Sequence, residues 1–181
     1  MRADPTRYLQ RGWEALPWKL DGLSDHQVRR PLTPTGTNLL GLVKHVALTT
    51  SGYFGEVLGR PTVLPWDSAE PNDDMWAAPG ETRAEVLDWY ATAVADAETA
   101  LRELPLDHPA HVSWWPEPEV TLGRIAIHMT AELHRHCGHA DILRELLDGA
   151  AGMLPQVANL PADFSWETYR ARLQAEADRH T

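Results

Sequence analysis

The sequence lacks the residues on which several common classes of site depend. Its single cysteine, Cys137, excludes an internal disulfide and any zinc site built from paired cysteines. The P-loop, the glycine motif of dinucleotide-binding proteins and the His-Glu-x-x-His motif of zinc proteases are all absent. No glutamate has a histidine three residues later, so the Glu-x-x-His pair that di-iron bundles carry on two helices is missing too. These absences disfavour nucleotide-binding, zinc-protease and di-iron sites.

Positive charge and long apolar runs are also scarce. The chain has 16 lysines and arginines against 26 aspartates and glutamates, a formal net charge of −10. Nucleic-acid binding needs a basic surface, so we expect no nucleic-acid partner. No apolar run reaches the roughly 18 residues of a transmembrane helix, and the first residues, MRADPTRYLQRGW, lack the apolar stretch of a signal peptide. We therefore expect one soluble, cytoplasmic domain over residues 1–181, without a membrane partner.

Helical patterns dominate the chain, and proline and glycine separate them. We predict long helices over about residues 5–20, 37–58, 82–104 and 121–149, and a short C-terminal helix over 165–178. The first starts near Pro5, and Pro17 should kink it or end it near Leu16. No segment shows the alternation of a β-strand. The sequence thus predicts an all-α fold, a four-helix bundle with one long crossover and a peripheral fifth helix.

The helix predicted over 121–149 carries polar residues where a core-facing stripe should be apolar. Seven side chains fall within an arc of roughly 80° on a helical wheel. They are Ile125, His128, Glu132, His136, His139, Leu143 and Leu146. Burying imidazoles and a carboxylate without partners costs several kcal/mol, of the order of 2–7 for a polar group. A bound metal is the simplest partner for them.

Glu132 and His136 are four residues apart, so both side chains can grip one ion. A third ligand has to come from another helix, and His45 is the best candidate. Its helix face also carries Thr49, Gly52, Tyr53 and Glu56. Two imidazoles and one carboxylate leave coordination positions open, as in catalytic sites. This ligand set suits Zn²⁺, and it also suits Fe²⁺ or Ni²⁺.

The remaining polar and aromatic residues have plainer interpretations. His128 and His139 are expected to line a pocket or to hydrogen-bond to a side chain that binds the metal. His134 should face solvent. Cys137 lies about 100° from His136 and should be packed. Trp114 and Trp115 are more typical of loop packing than of a substrate wall.

Two segments resemble the DinB-like helical-bundle superfamily, in particular the branch with mycothiol-dependent maleylpyruvate isomerase and mycothiol S-transferases. They are LDGLSDHQVRRPLTPTGTNLLGLVKHV, residues 20–46, and HMTAELHRHCGHADILRELLDG, residues 128–149. The resemblance covers roughly residues 8–150. It implies a single divalent metal held by His45, Glu132 and His136, with Glu132 at a position where many DinB-like proteins have histidine.

The resemblance also implies a low-molecular-weight thiol as co-substrate. A divalent cation holds such a thiol as the thiolate, the nucleophilic form. Only two basic residues are lysines, a bias typical of GC-rich genomes, and this favours mycothiol over bacillithiol or glutathione. His128, Tyr53 and His139 are the candidate proton carriers, and family members often form homodimers. About 30 residues follow Gly149, too few for the isomerase's additional C-terminal domain.

Three functions are compatible with this sequence. The first is a metal-dependent thiol transferase that attacks a small electrophile. The second is a non-catalytic bundle, related to stress, that binds a metal or a small molecule. The third is a structural bundle whose buried histidines hydrogen-bond to each other without metal. The open coordination positions favour the first.

Overall fold

A computed structural model describes residues 6–64, 70–161 and 163–180. Within these ranges the chain is mostly helical, as predicted. The α-helices are α1 (Thr6–Ala15), α2 (Asp25–Arg29), α3 (Leu39–Phe54), α4 (Arg83–Glu103), α5 (Leu122–Asp148) and α6 (Trp166–Ala177). Short 3₁₀ turns cover Pro17–Leu20, Glu56–Leu58, Asp73–Met75 and Asp178–His180. No helix in the described part of the chain is long and apolar enough to cross a membrane.

Capping residues explain where the helices begin. The side chains of Asn38, Thr82 and Thr121 each accept a hydrogen bond from a backbone N–H in the first turn of the helix that follows. At the start of α2, Ser24 and Gln27 form a capping box, in which each side chain bonds to the backbone N–H of the other residue. The first helix ends at Ala15 and gives way to a 3₁₀ turn that starts at Pro17, in agreement with the predicted break. Its predicted start at Pro5 lies outside the described residues.

The second long helix is shorter than predicted, because the α-helix ends at Phe54 and not at Leu58. Gly55 breaks it with φ −100° and ψ −98°. A Cβ at Gly55 would lie 2.6 Å from the carbonyl oxygen of Ser51 and 3.0 Å from Cα of Thr62, so the chain turns back too closely for any larger residue. The residues that follow form a 3₁₀ turn over Glu56–Leu58.

The prediction that the chain contains no strand was wrong. Strands β1 (Pro109–His111) and β2 (Glu119–Thr121) pair antiparallel, with Ala110 opposite Val120. Each strand has three residues, too few for an alternating pattern to be recognised in the sequence. The loop between them carries Trp114 and Trp115 and lies beside the start of α5.

Helix α3 lies at the centre of the packing. It packs most extensively against α4 and also contacts α5, while α1 packs against α5. The core between these helices is built largely from leucine, valine and alanine. The packing of α3 against α5 is what sets side chains of these two helices opposite each other.

Candidate metal site and adjoining cavity

Three side chains from α3 and α5 meet at the predicted metal site. Nε2 of His136 lies 2.8 Å from Oε1 of Glu132, and Nε2 of His45 lies 3.5 Å from the same oxygen. The imidazole rings of His45 and His136 are 4.6 Å apart, centroid to centroid. One potential ligand atom from each residue lies within 4.8 Å of the other two. The geometry therefore brings together two imidazoles and one carboxylate.

The electrostatics of this group are balanced between burial and hydrogen bonding. Burial raises the pKa of Glu132, but hydrogen bonds and charges of His136 and His45 outweigh burial and lower it below its usual value. Burial is also the main cause that lowers the pKa of His136, and the nearby His45 adds to it, against the opposing effect of Glu132. Both shifts favour an ionised carboxylate beside a neutral imidazole, the protonation states in which these groups bind metals.

His45 has a partner that the sequence did not reveal. Asp74, in the 3₁₀ turn over Asp73–Met75, places Oδ2 2.5 Å from Nδ1 of His45. The two side chains are only 13% and 15% exposed. A carboxylate that accepts the Nδ1 proton of a histidine fixes the ring orientation and leaves Nε2 as the free donor atom, as around many protein-bound metals.

The segment that carries Asp74 is fastened to α3 by a buried lysine. Nζ of Lys44 donates to the carbonyl oxygens of Asp73 and Trp76 and to both carboxylate oxygens of Glu81. Gly41, one turn earlier, makes the close approach possible, since a Cβ there would lie 1.8 Å from the carbonyl oxygen of Met75. Lys44 and Gly41 thus hold the segment against the helix that carries His45.

The hydrogen bonds in this group leave room for a cation. His45 lies between two carboxylates, with Nδ1 2.5 Å from Asp74 and Nε2 3.5 Å from Glu132, and this concentration of negative charge favours positive charge in the group. Nδ1 of His136 is buried and has no hydrogen-bond partner among the described residues. A buried polar atom without a partner is uncommon, but the nitrogen of His136 that faces Glu132 is Nε2, so the evidence for an ion is the donor set itself. The donor set and these contacts fit a divalent metal.

A cavity of about 420 Å³ lies one helical turn from His45. Its lining residues are Thr49, Gly52, Tyr53, Glu56 and Trp114. The ring of Tyr53 is 4.9 Å from that of His128, and His128 precedes Glu132 by one turn of α5. The His45 face predicted from the sequence therefore forms the wall of a cavity next to the three candidate ligands. Trp114 is 60% exposed and belongs to this wall, whereas Trp115 packs against the core.

The other residues of the histidine-rich helix are divided between the site and the rest of the fold. His128 is half-buried, and burial lowers its pKa, opposed by the charge of Glu132. His139 is exposed, with its ring 5.4 Å from that of His136. The prediction that Leu146 belongs to the buried stripe was wrong: it is 68% exposed, because the packed surface has turned away from this face at the end of the helix.

His134 and Cys137 face α1 instead of the site. Nε2 of His134 contacts the carbonyl oxygen of Tyr8 at 3.0 Å, and the side chain is half-buried rather than solvent-facing as predicted. The prediction that Cys137 is packed is confirmed, and Sγ lies 3.5 Å from the carbonyl oxygen of Gly12. Burial, with the charge of Asp141, raises the pKa of Cys137 to about 12.

Comparison with known proteins agrees with this geometry. The family described as mycothiol-S-transferase matches residues 4–149, which include all three candidate ligands and the cavity. The chain belongs to the mycothiol S-transferase family. Members of this family are named for the transfer of a thiol, and the group formed by His45, Glu132 and His136 is a possible metal site within the matched residues.

Among solved structures, a conserved protein from Enterococcus faecalis has the same fold. Its TM-score is 0.64 at 17% sequence identity, and the alignment covers 81% of this chain and 96% of that one. At this identity the likeness concerns the fold alone. The chain matches none of the curated proteins.

Proposed function

We propose that this member of the mycothiol S-transferase family uses a divalent metal, with mycothiol as co-substrate, to attack a small electrophile. The observation that carries the proposal is the group of His45, Glu132 and His136 beside an aromatic-walled cavity, in a chain of this family. Zn²⁺ is the metal that this ligand set suits best, with Ni²⁺ and Fe²⁺ as the alternatives to be tested. The protein supplies no thiol of its own to the reaction, because Cys137 is buried against α1.

The reaction joins the sulfur of the thiol to an electrophilic carbon. The thiol loses its proton, the C–S bond forms with the sulfur electron pair, and the leaving group departs with the electrons of the bond that breaks. A metal bound by His45, Glu132 and His136 would lower the pKa of the thiol and keep it as the thiolate. The chain itself supplies orientation, since Asp74 fixes the ring of His45.

We propose that His128 moves protons near the cavity. Its ring contacts those of Tyr53 and Trp115, with centroid distances of 4.9 and 4.8 Å, and its lowered pKa favours the neutral form that accepts a proton. We assign His128 as the proton acceptor and Tyr53 as its neighbour at the cavity wall. His139 lies on the other side of His136 and is exposed, so we assign it to exchange of the proton with solvent.

The organisation of the chain is part of the same proposal. We infer that α1, α3, α4 and α5 form a DinB-like four-helix bundle and that residues 1–181 form one cytoplasmic domain that also exists as a homodimer. The contacts of α3 with α4 and α5, and of α1 with α5, support the bundle. Analytical ultracentrifugation of the purified chain at micromolar concentration measures the dimer directly.

The proposed activity is tested with purified protein that has been stripped of metal and then loaded with Zn²⁺, Ni²⁺ or Fe²⁺. Mycothiol and a panel of electrophiles are added, and the thioether product is measured by mass spectrometry. We expect product formation to require both metal and thiol and to be lost in His45→Gln. His111→Gln is the control, because His111 pairs with Glu119 in the exposed sheet. Metal uptake without thioether formation under any of these conditions would instead support a non-catalytic binding protein.

A further inference from the structure

The walls of the cavity beside the metal site are aromatic. Tyr53 lies at the centre, with the ring of Trp114 at 5.7 Å and 68° and the ring of Trp115 at 6.2 Å. These are the distances and angles of favourable aromatic pairs. The volume of about 420 Å³ is within the range of sites for small molecules. The exposed ring of Trp114 leaves one face open to a further partner.

The cavity offers few hydrogen bonds to a polar ligand. The hydroxyl of Thr49 already donates to the carbonyl oxygen of His45, at 2.8 Å. Gly52 contributes no side chain, and Glu56 contributes a carboxylate that accepts hydrogen bonds and does not donate them. The side-chain donors that remain are the hydroxyl of Tyr53 and the indole N–H of Trp114. A sugar or other polyol in this cavity would lose its hydrogen bonds to water and gain few in return, which is costly. A flat apolar molecule loses nothing of this kind.

The charge of the lining residues restricts the net charge of the ligand that the cavity favours. Glu56 is the one carboxylate among the lining residues, which include no lysine, arginine or histidine, and it is exposed. Its negative charge attracts a cation and repels an anion. The guanidinium of Arg124 lies 5.4 Å from the ring centre of Trp115 and contacts Glu117.

We propose that this cavity binds the electrophile, and that the electrophile is a planar aromatic molecule that is neutral or cationic. Tyr53 and Trp114 stack against its ring, and Glu56 disfavours anionic members of the class. The inference about a binding site stands on the cavity, whereas the role of its ligand as electrophile rests on the proposed thiol transfer. The thiol is placed at the metal site and not in the cavity.

Gly52 provides the sharpest perturbation. A Cβ at Gly52 would have no heavy atom within 4 Å, so a side chain at this position starts into open space, and Gly52→Leu is chosen to fill the cavity. Gly138→Leu is a matched control, because Gly138 lies on α5 with equally open space and outside the cavity. Both substitutions replace a helical glycine by a stronger helix former.

Binding is measured first, without turnover. The unreactive probe 4-methylbenzyl alcohol is titrated into the metal-loaded protein by calorimetry, and mycothiol is titrated separately. We expect Gly52→Leu to weaken binding of the alcohol at least about tenfold, in line with the loss of most of an apolar site, and Gly138→Leu to bind like the wild type. Loss of mycothiol binding in Gly52→Leu, with binding of the alcohol retained, would overturn the assignment of the cavity.

Turnover gives the second readout. The probes are 4-methylbenzyl chloride, its 4-carboxylate and 4-trimethylammonium counterparts, and allyl chloride. We expect Trp114→Ala to lower kcat/KM for 4-methylbenzyl chloride relative to allyl chloride by about two- to tenfold, the worth of an aromatic pair. Glu56→Gln should reduce the preference for the cationic over the anionic probe by up to about fivefold.

The two experiments separate the two proposals. If Gly52→Leu abolishes binding of the alcohol, the aromatic site is supported even when no probe is turned over. The absence of turnover then contradicts only the proposed thiol transfer. Turnover whose selectivity is unchanged in Gly52→Leu and Trp114→Ala, together with unchanged binding of the alcohol, would overturn the aromatic site and leave thiol transfer in place.

Discussion

The contact between Asp74 and His45 predicts a measurable loss of metal affinity. Replacing Asp74 by asparagine keeps the size of the side chain but removes its negative charge, and replacing it by alanine removes the contact. The two groups are 2.5 Å apart and both are largely buried, so solvent cannot take over the role of the carboxylate. Loss of a carboxylate that holds a metal-binding histidine in this way weakens metal binding by about 10- to 100-fold. This corresponds to roughly 1.4–2.8 kcal/mol.

Competition with a chromophoric chelator for Zn²⁺ measures this change as a ratio of dissociation constants. Asp73→Asn is the matched control, since Asp73 is adjacent in the same turn and its contact with Lys44 is made by the backbone carbonyl oxygen. We expect Asp74→Ala to lose more affinity than Asp74→Asn and Asp73→Asn to stay near the wild type. If the wild type and both Asp74 variants bind Zn²⁺ with equal affinity, this carboxylate does not position His45 for metal binding.

Three further predictions concern the chain without added substrate. Cys137 should resist iodoacetamide at pH 8 until the protein is unfolded, because burial raises its pKa to about 12; rapid labelling of the native protein would contradict this. The metal-free protein should lose stability as the pH falls below about 6.5, because folding lowers the pKa of His136 and His128 and the unfolded chain then binds more protons. Denaturation at pH 8 and pH 5.5 measures the free energy of unfolding, and a higher value at pH 5.5 would contradict this prediction. Lys44→Met should lower the free energy of unfolding, measured by urea denaturation, by roughly 2–4 kcal/mol. This is somewhat less than for a fully buried ion pair, because Glu81 is a quarter exposed. A change near zero would contradict the anchoring role of Lys44.

The three candidate ligands could be predicted because helical spacing is a local property. Four residues separate Glu132 from His136, so any α-helix brings them to one face. His45 required one further step, the assumption that the face with Gly52 and Tyr53 looks towards the histidine-rich helix. The structure agrees with that step, and it shows the same face continuing into the cavity.

Asp74 could not be predicted, because it reaches the site through a loop. Its position depends on the bonds of Lys44 to the carbonyl oxygens of Asp73 and Trp76, and on the space left by Gly41. None of these contacts has a fixed spacing in the sequence. The one indication in the sequence is Lys44, which lies inside an apolar helix. A buried lysine needs partners from another part of the chain.

The missed sheet and the misplaced helix end have a different cause. Strands β1 and β2 are too short to show a period of two residues. The helix that begins at Leu39 ends at Phe54 because a later segment packs against the following residue, Gly55, so its end depends on tertiary contact and not on local propensity. The exposure of Leu146 similarly reflects where the packing on α5 stops.

Cobalt substitution tests directly whether a metal held by this site binds the thiol. Co²⁺ is loaded into the metal-free protein, and the absorption spectrum is recorded before and after addition of mycothiol, with Glu132→Gln measured in parallel. We expect mycothiol to produce a sulfur-to-cobalt charge-transfer band in the wild type and none in the variant. A cobalt spectrum that mycothiol leaves unchanged in the wild type would contradict metal activation of the thiol.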